Sequence, residues 1–237
     1  MRLGKYGLCS LLAVAAGVAI AAQTEVPRDL VVHEWGTFLA MSGSDGISLE
    51  GMYHEEHALP PFVHARSRDQ LRLPSVVLKG ETPVIYFYTD RAQKVRVDVR
   101  FPEGLWTQWY PQAQVVGPQF AQAATPPELR DGRITWCAEV VPGGVTNPAP
   151  APPETAKDAL WNFARDVDAA FVRTNDRTKA GAPHESERFL FYRGLGRAPL
   201  PLRLTAAGGG TLALDSGERH DVQHIFIVRV EGGRGVY

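Results

Sequence analysis

Val84-Ile85-Tyr86-Phe87-Tyr88 and, five residues on, Lys94-Val95-Arg96-Val97-Asp98-Val99-Arg100-Phe101 decide the fold class. The second stretch alternates without a break. Val95, Val97, Val99 and Phe101 fall on one side of an extended chain and Lys94, Arg96, Asp98 and Arg100 on the other. The first stretch is apolar at every position, as a strand covered on both faces must be. With Asp90-Arg91-Ala92-Gln93 between them, residues 83–101 read as a hairpin. A strand dry on both faces beside one with a wet face implies a sandwich, or a sheet with partial cover.

Working outward, residues 134–141, 187–193, 200–205, 211–214 and 225–230 carry the same strand signature, and so do residues 31–41, with Ser42-Gly43-Ser44-Asp45-Gly46 as a turn behind them. Residues 52–59 have the length of two helical turns, stopped by Pro60-Pro61. Residues 105–111 form an aromatic corner. Residues 142–153 hold five prolines and two glycines and are a loop. Residues 155–171 are the one good helix. Leu160, Phe163, Val167, Ala170 and Phe171 share one face, and Thr155 with Asp158 makes a weakened capping box. The expected fold is mainly β: sandwich-like antiparallel sheets with one amphipathic helix at about 155–171.

The N-terminus reads as an export signal. Arg2 and Lys5 precede an apolar run from 8 to 21, and Ala19-Ile20-Ala21 offers the small residues that a signal peptidase reads. That run is shorter than the ~20 residues a membrane-spanning helix needs. The expected organisation is a signal peptide at 1–21 and one β-rich domain from 22 to 237, periplasmic or extracellular, with no membrane span after cleavage. The 237 residues are 44% hydrophobic and 22% charged, with a formal charge of −1, which excludes an electrostatic case for nucleic acid. Cys9 leaves with the signal, so Cys137 has no intrachain disulfide partner. Gly232-Gly233-Arg234-Gly235 reads as a turn into a further strand, so the domain is expected to continue past Tyr237.

Four strings stand out: Val31 with His33-Glu34-Trp35-Gly36-Thr37-Phe38, Glu81-Thr82-Pro83-Val84-Ile85-Tyr86-Phe87-Tyr88, Trp109-Tyr110-Pro111, and Arg188-Phe189-Leu190-Phe191-Tyr192-Arg193-Gly194. Together they resemble a family of exported bacterial proteins without assigned function, over about residues 31–229. The resemblance implies an exported setting and members longer than this chain. It brings no activity to any residue.

The candidate sites come from residue chemistry. His33 and Glu34 point to opposite sides of a strand, so they serve one site only if a bulge intervenes, and Gly36 is a place for one. In His54-Glu55-Glu56-His57, two imidazoles three apart meet on a helix, and His64 can fold back beyond Pro60-Pro61. Neutral imidazole with carboxylate suits a transition metal such as Zn. The metal set is then His33, His54, His57 and His64, with Glu34 or Glu55 as general base. The spacing is not that of the zinc-protease helix. The competing reading is a solvated acidic turn, with His33 and Glu34 satisfied within the sheet. Trp106, Trp109 and Tyr110 offer either a stacking platform for a sugar ring or a cap on the core.

Two function classes follow. The first is an exported domain that is structural or binds a ligand: a small molecule, a saccharide or a component of the envelope. The second is a metal-dependent, hydrolase-like enzyme built on the histidines.

Overall fold

Val84–Tyr88 and Gln93–Phe101 are both strands, and they belong to different sheets. The computed structural model describes residues 30–51, 58–66, 76–119, 129–144, 150–175, 184–200, 202–216, 224–231 and 234–236. The early strands are β1 (Val31–Trp35), β2 (Phe38–Ser42), β3 (Ser48–Leu49), β4 (His64–Ala65), β5 (Leu78–Gly80) and β6 (Val84–Tyr88). Then come β7 (Gln93–Phe101), β8 (Gly104–Tyr110), β9 (Val115–Gly117) and β10 (Gly132–Val141). A short helix α1 (Trp161–Arg165) precedes β11 (Phe171–Asn175), β12 (His184–Glu187) and β13 (Leu190–Gly196). Two small hairpins end the series: β14 (Arg203–Gly208) with β15 (Thr211–Asp215), and β16 (Arg229–Glu231) with β17 (Arg234–Val236).

The expected hairpin at 83–101 is therefore corrected. Residues 89–92 carry the chain from one sheet to the other. β6 has no wet face, so it needs a strand on each side and cover above and below. It finds β1 and β13 as neighbours. β7 keeps one wet face and pairs with β10 from Phe101↔Gly132 to Gln93↔Val140.

The first sheet is built around β13. On one flank lie β8 and then β4. On the other, β6 and β1 flank its first half, while β5, β2 and β3 flank its second. The second sheet runs β12-β11-β10-β7, with β9 also paired to β10. Between the sheets pack Ile85, Phe87, Leu190 and Tyr192 of the first and Ile134, Trp136, Val140 and Val172 of the second. Each fully buried side chain of this kind contributes about 1.5–3 kcal/mol. The far face of the first sheet carries Val84, Tyr86, Phe189 and Phe191, covered by Trp161 and by Leu59, Phe62 and Val63. That double cover is what the unbroken apolar run in β6 required.

The helix is shorter than its periodicity implied, and it buries a different residue. Only 161–165 are helical, ending where Asp166 leaves helical geometry at ψ 51°. Trp161 is 7% exposed, while Phe163 is 74% exposed and Leu160 also faces out. Thr155 does not cap it. Its hydroxyl donates to Asn162 Oδ1 at 2.6 Å. Tyr86 fastens this segment to the sheet by donating from its hydroxyl to Ala164 O at 2.8 Å. Burial pushes the Tyr86 phenol up to about 12.

Other expectations shift in detail. The strand expected at 31–41 breaks at Gly36-Thr37 into β1 and β2, and the aromatic corner at 105–111 contains the strand β8. Of the strand expected at 225–230, only Arg229 and Val230 pair, in the last hairpin.

Candidate functional site

The break between β1 and β2 shapes an accessible site. Gly36 passes so close to Pro83 that a Cβ there would lie 2.6 Å from Pro83 Cα and 2.8 Å from Pro83 N. Only glycine fits such a backbone approach. The next residue is held as firmly: Glu81 N donates to Thr37 O at 2.8 Å, and the Thr37 and Thr82 hydroxyls are 3.0 Å apart. Glu81 is itself anchored. Buried Lys79 reaches its carboxylate at 2.7 Å, and Arg193 approaches it at 3.6 Å while donating from Nε to Glu81 O at 2.9 Å. Three of the strings singled out in the sequence thus meet at one place: Gly36-Thr37, Glu81-Thr82-Pro83 and Arg193.

Beside this junction lies a groove of about 370 Å³, within the usual range for small-molecule sites. One lip is the edge of the first sheet, with Glu34, Trp35 and Phe38, and the other is β7, with Val99, Arg100 and Phe101. Trp106 and Tyr192 line it deeper in. Trp35 is 56% exposed, and Phe38 is similarly open. Glu34 and Arg100 are both exposed on the two lips, and neither forms an ion pair among the described residues. The groove therefore offers apolar and aromatic walls, with one acid, Glu34, on one lip and one base, Arg100, on the other.

The opposite side of the sandwich is fastened. His64 of β4 sets Nε2 3.0 Å from both carboxylate oxygens of Glu185 in β12, so the two outermost strands are joined. The imidazole lies nearly parallel to the Trp109 and Tyr110 rings, with centroids 6.2 and 6.1 Å away. Glu185 also accepts from Gln112 N at 2.6 Å. Burial pushes the Tyr110 phenol above its ordinary value, with the Glu185 charge adding to the shift.

Two residues on, Glu187 is fully buried and fully engaged. It accepts from Trp161 Nε1 at 2.9 Å, from Arg165 Nη2 at 2.6 Å and from Arg188 N at 2.9 Å. Such a carboxylate, with several charge-assisted donors, is a structural anchor for α1 against the sheet.

The residues singled out in the sequence are spread over these places. His33 stands opposite Tyr86 in register and meets the Tyr88 ring edge-on at 5.1 Å, on the helix-covered side. His64 points toward the second sheet. Across β1-β6-β13-β8-β4 the two histidines are about 19 Å apart at ~4.8 Å per strand, too far to share an ion. Glu34 faces the groove, away from His33. No bulge brings the pair together, because the β1–β6 register runs unbroken from Val31↔Tyr88 to Trp35↔Val84. His54, Glu55 and His57 lie outside the described residues. Among the described residues, no three His, Cys, Asp or Glu side chains come together as a metal set.

Trp106 and Tyr110 are buried and make ring contacts inside the protein, to Tyr192 at 4.9 Å and to Phe62 at 4.8 Å. They fill the two sides of the sheet, and Trp106 also lines the groove. Glu185, Glu187 and Arg100 gave no motif signal. Each is recognisable only once β12 and β7 are placed.

Comparison with protein-family models, with curated proteins and with solved structures finds no match to this chain.

Proposed function

We propose that this protein is an exported binding domain that takes a small, mainly apolar ligand with charged ends in the groove between β1–β2 and β7. The observation that carries this reading is the pairing of aromatic walls with Glu34 and Arg100 on opposite lips. The apolar walls desolvate the body of a ligand, and the two charges set its direction, which is how such sites divide affinity from orientation. A plain pyranose would need more polar groups than this groove offers. The export signature at 1–21 and the resemblance to exported proteins support the extracytoplasmic setting. Among the described residues no helix is long and apolar enough to cross a membrane.

The test is a thermal-shift and Trp-fluorescence screen of the mature protein. Its compounds are aromatic and aliphatic zwitterions, uncharged apolar compounds and pyranosides. A saturable stabilisation by the zwitterions, lost in Phe38→Ala and weakened in Glu34→Gln and Arg100→Gln, supports the reading. Equal binding by Phe38→Ala, or a response to pyranosides alone, overturns it.

The metal-dependent reading keeps one supporting observation, the placement of His64 against Glu185. A carboxylate holding an imidazole nitrogen is half of a common metal-site arrangement. Elemental analysis of protein purified without chelator separates the classes. Stoichiometric transition metal that disappears in His64→Ala favours the enzyme.

A further inference from the structure

The main sheets expose long edges unequally. β7 is the edge of the second sheet, and its wet face carries Lys94, Arg96, Asp98 and Arg100, charges that discourage another strand from adding there. β4 and β12 are short and clasped to each other through His64 and Glu185. β1 is different. Among the described residues it pairs only with β6, and Val31, Val32 and Trp35 are all exposed. An open, mostly apolar edge of this kind is a template for strand addition.

The same chain holds the matching piece. Ile225-Phe226-Ile227-Val228-Arg229-Val230 is as strand-prone as any stretch in the sequence, yet Ile225, Phe226, Ile227 and Val228 belong to no ladder. They are exposed, Phe226 at 80%. Six residues of this composition are the kind that pair wherever an edge is offered. The charges agree as well: Glu34 is the one acid of β1, and Arg229 is the one cation of the segment.

We propose that residues 225–230 of a second copy add as a strand to the open edge of β1, and that the exchange is reciprocal. Each copy then offers one edge and one strand, so the contact is self-complementary and closes at two. Main-chain bonds to β1 supply the affinity, and the alternate apolar side chains supply the fit. The added strand also lengthens the first lip of the groove, but the proposal does not rest on what the groove binds. Neither Phe226 nor Ile227 lines it.

Light scattering after size exclusion on the mature chain, over a concentration series, is the test. The expected mass is twice that of one chain. Phe226→Asp and Ile227→Lys, both at exposed positions, should each raise the dimer dissociation constant at least about tenfold. Glu34→Arg and Arg229→Glu should each weaken the dimer, and the two together should restore it. A single-chain mass at every concentration overturns the proposal. So does a dimer indifferent to Phe226→Asp and Ile227→Lys. Open-ended assembly overturns it too, and so does a monomer whose 225–228 amides are protected from exchange, because that strand would have found its partner within one chain.

Discussion

His64 Nε2 stands 3.0 Å from both oxygens of Glu185, and this one pair joins the outermost strands of the two sheets. Both side chains are partly exposed, so the ion-pair character adds little by itself. The larger effect comes from Gln112 N, which also depends on Glu185. Glu185→Ala is expected to cost about 1–3 kcal/mol, the range for losing a charged hydrogen-bond partner. Urea denaturation reads the cost, and amide exchange at Gln112 should quicken in the variant. An unchanged Gln112 rate would mean that the bond does not hold this side.

Glu187 is a harsher case. With no solvent access for Glu187 and donors from Trp161, Arg165 and Arg188, its removal leaves the half-buried Arg165 guanidinium and the buried Trp161 N–H without their acceptor. Glu187→Ala should cost about 3–5 kcal/mol, the range for breaking a buried pair from one side. Arg165→Met should cost less, because Trp161 and Arg188 still hold the carboxylate. If denaturation ranks the two variants the other way, Arg165 is the anchor and not Glu187.

Acid should act on the outer face of the second sheet. Hydrogen bonds from Arg96 and from the Thr135 hydroxyl, helped by the Arg96 and Arg133 charges, hold the Asp98 carboxyl at about 2. A folded value below the ordinary one, near ~4, means the stabilisation is full above pH ~4. It is lost as pH falls from about 4 to about 2. Asp98→Asn should flatten the stability curve in that window alone. A carboxyl titration midpoint near 4 by NMR would contradict it.

Base acts through Tyr86. Its phenol is held at about 12 by burial, so its stabilisation is complete below its ordinary value and is lost as pH rises from ~10 toward 12. Tyr86→Phe removes that alkaline loss and, at neutral pH, costs about 1 kcal/mol for the bond to Ala164 O. Parallel alkaline curves for the two proteins would show that another group is responsible.

Gly36 should be intolerant of any side chain. The atom that an added Cβ would strike is Pro83 Cα, which is backbone and has no rotamer to yield. Gly36→Ala should therefore separate β1–β2 from Pro83. It should destabilise by more than the ~0.5–1 kcal/mol gain that glycine replacement brings at a compatible site. Melting temperature and groove binding should fall together.

Class and core were legible in the sequence because they follow from local periodicity. Val95, Val97 and Val99 declared a strand with one dry face, and Val84–Tyr88 declared one with two. Pairing was not legible. Tyr88 and Gln93 are close in sequence, yet their strands seek partners elsewhere, and nothing local says that β6 will lie between β1 and β13. The helix misled for the opposite reason. Leu160, Phe163 and Val167 keep helical spacing, but Trp161 buries more area and turns the segment to suit itself. Glu34 was placed correctly on the side away from His33, because that follows from strand geometry alone. That it lines the same groove as Arg100 depends on how the two sheets face each other.

β13 sits at the middle of the first sheet and begins only at Leu190, while its neighbours β6 and β8 end at Tyr88 and Tyr110. Arg193 reaches back 112 residues to Glu81. Until that late strand arrives, β6 and β8 have nothing between them, and the groove has no Tyr192. The chain must close several loops of that length before its largest sheet exists. That places its folding among the slow, non-local β proteins, with the N-terminal strands waiting longest as exposed edges.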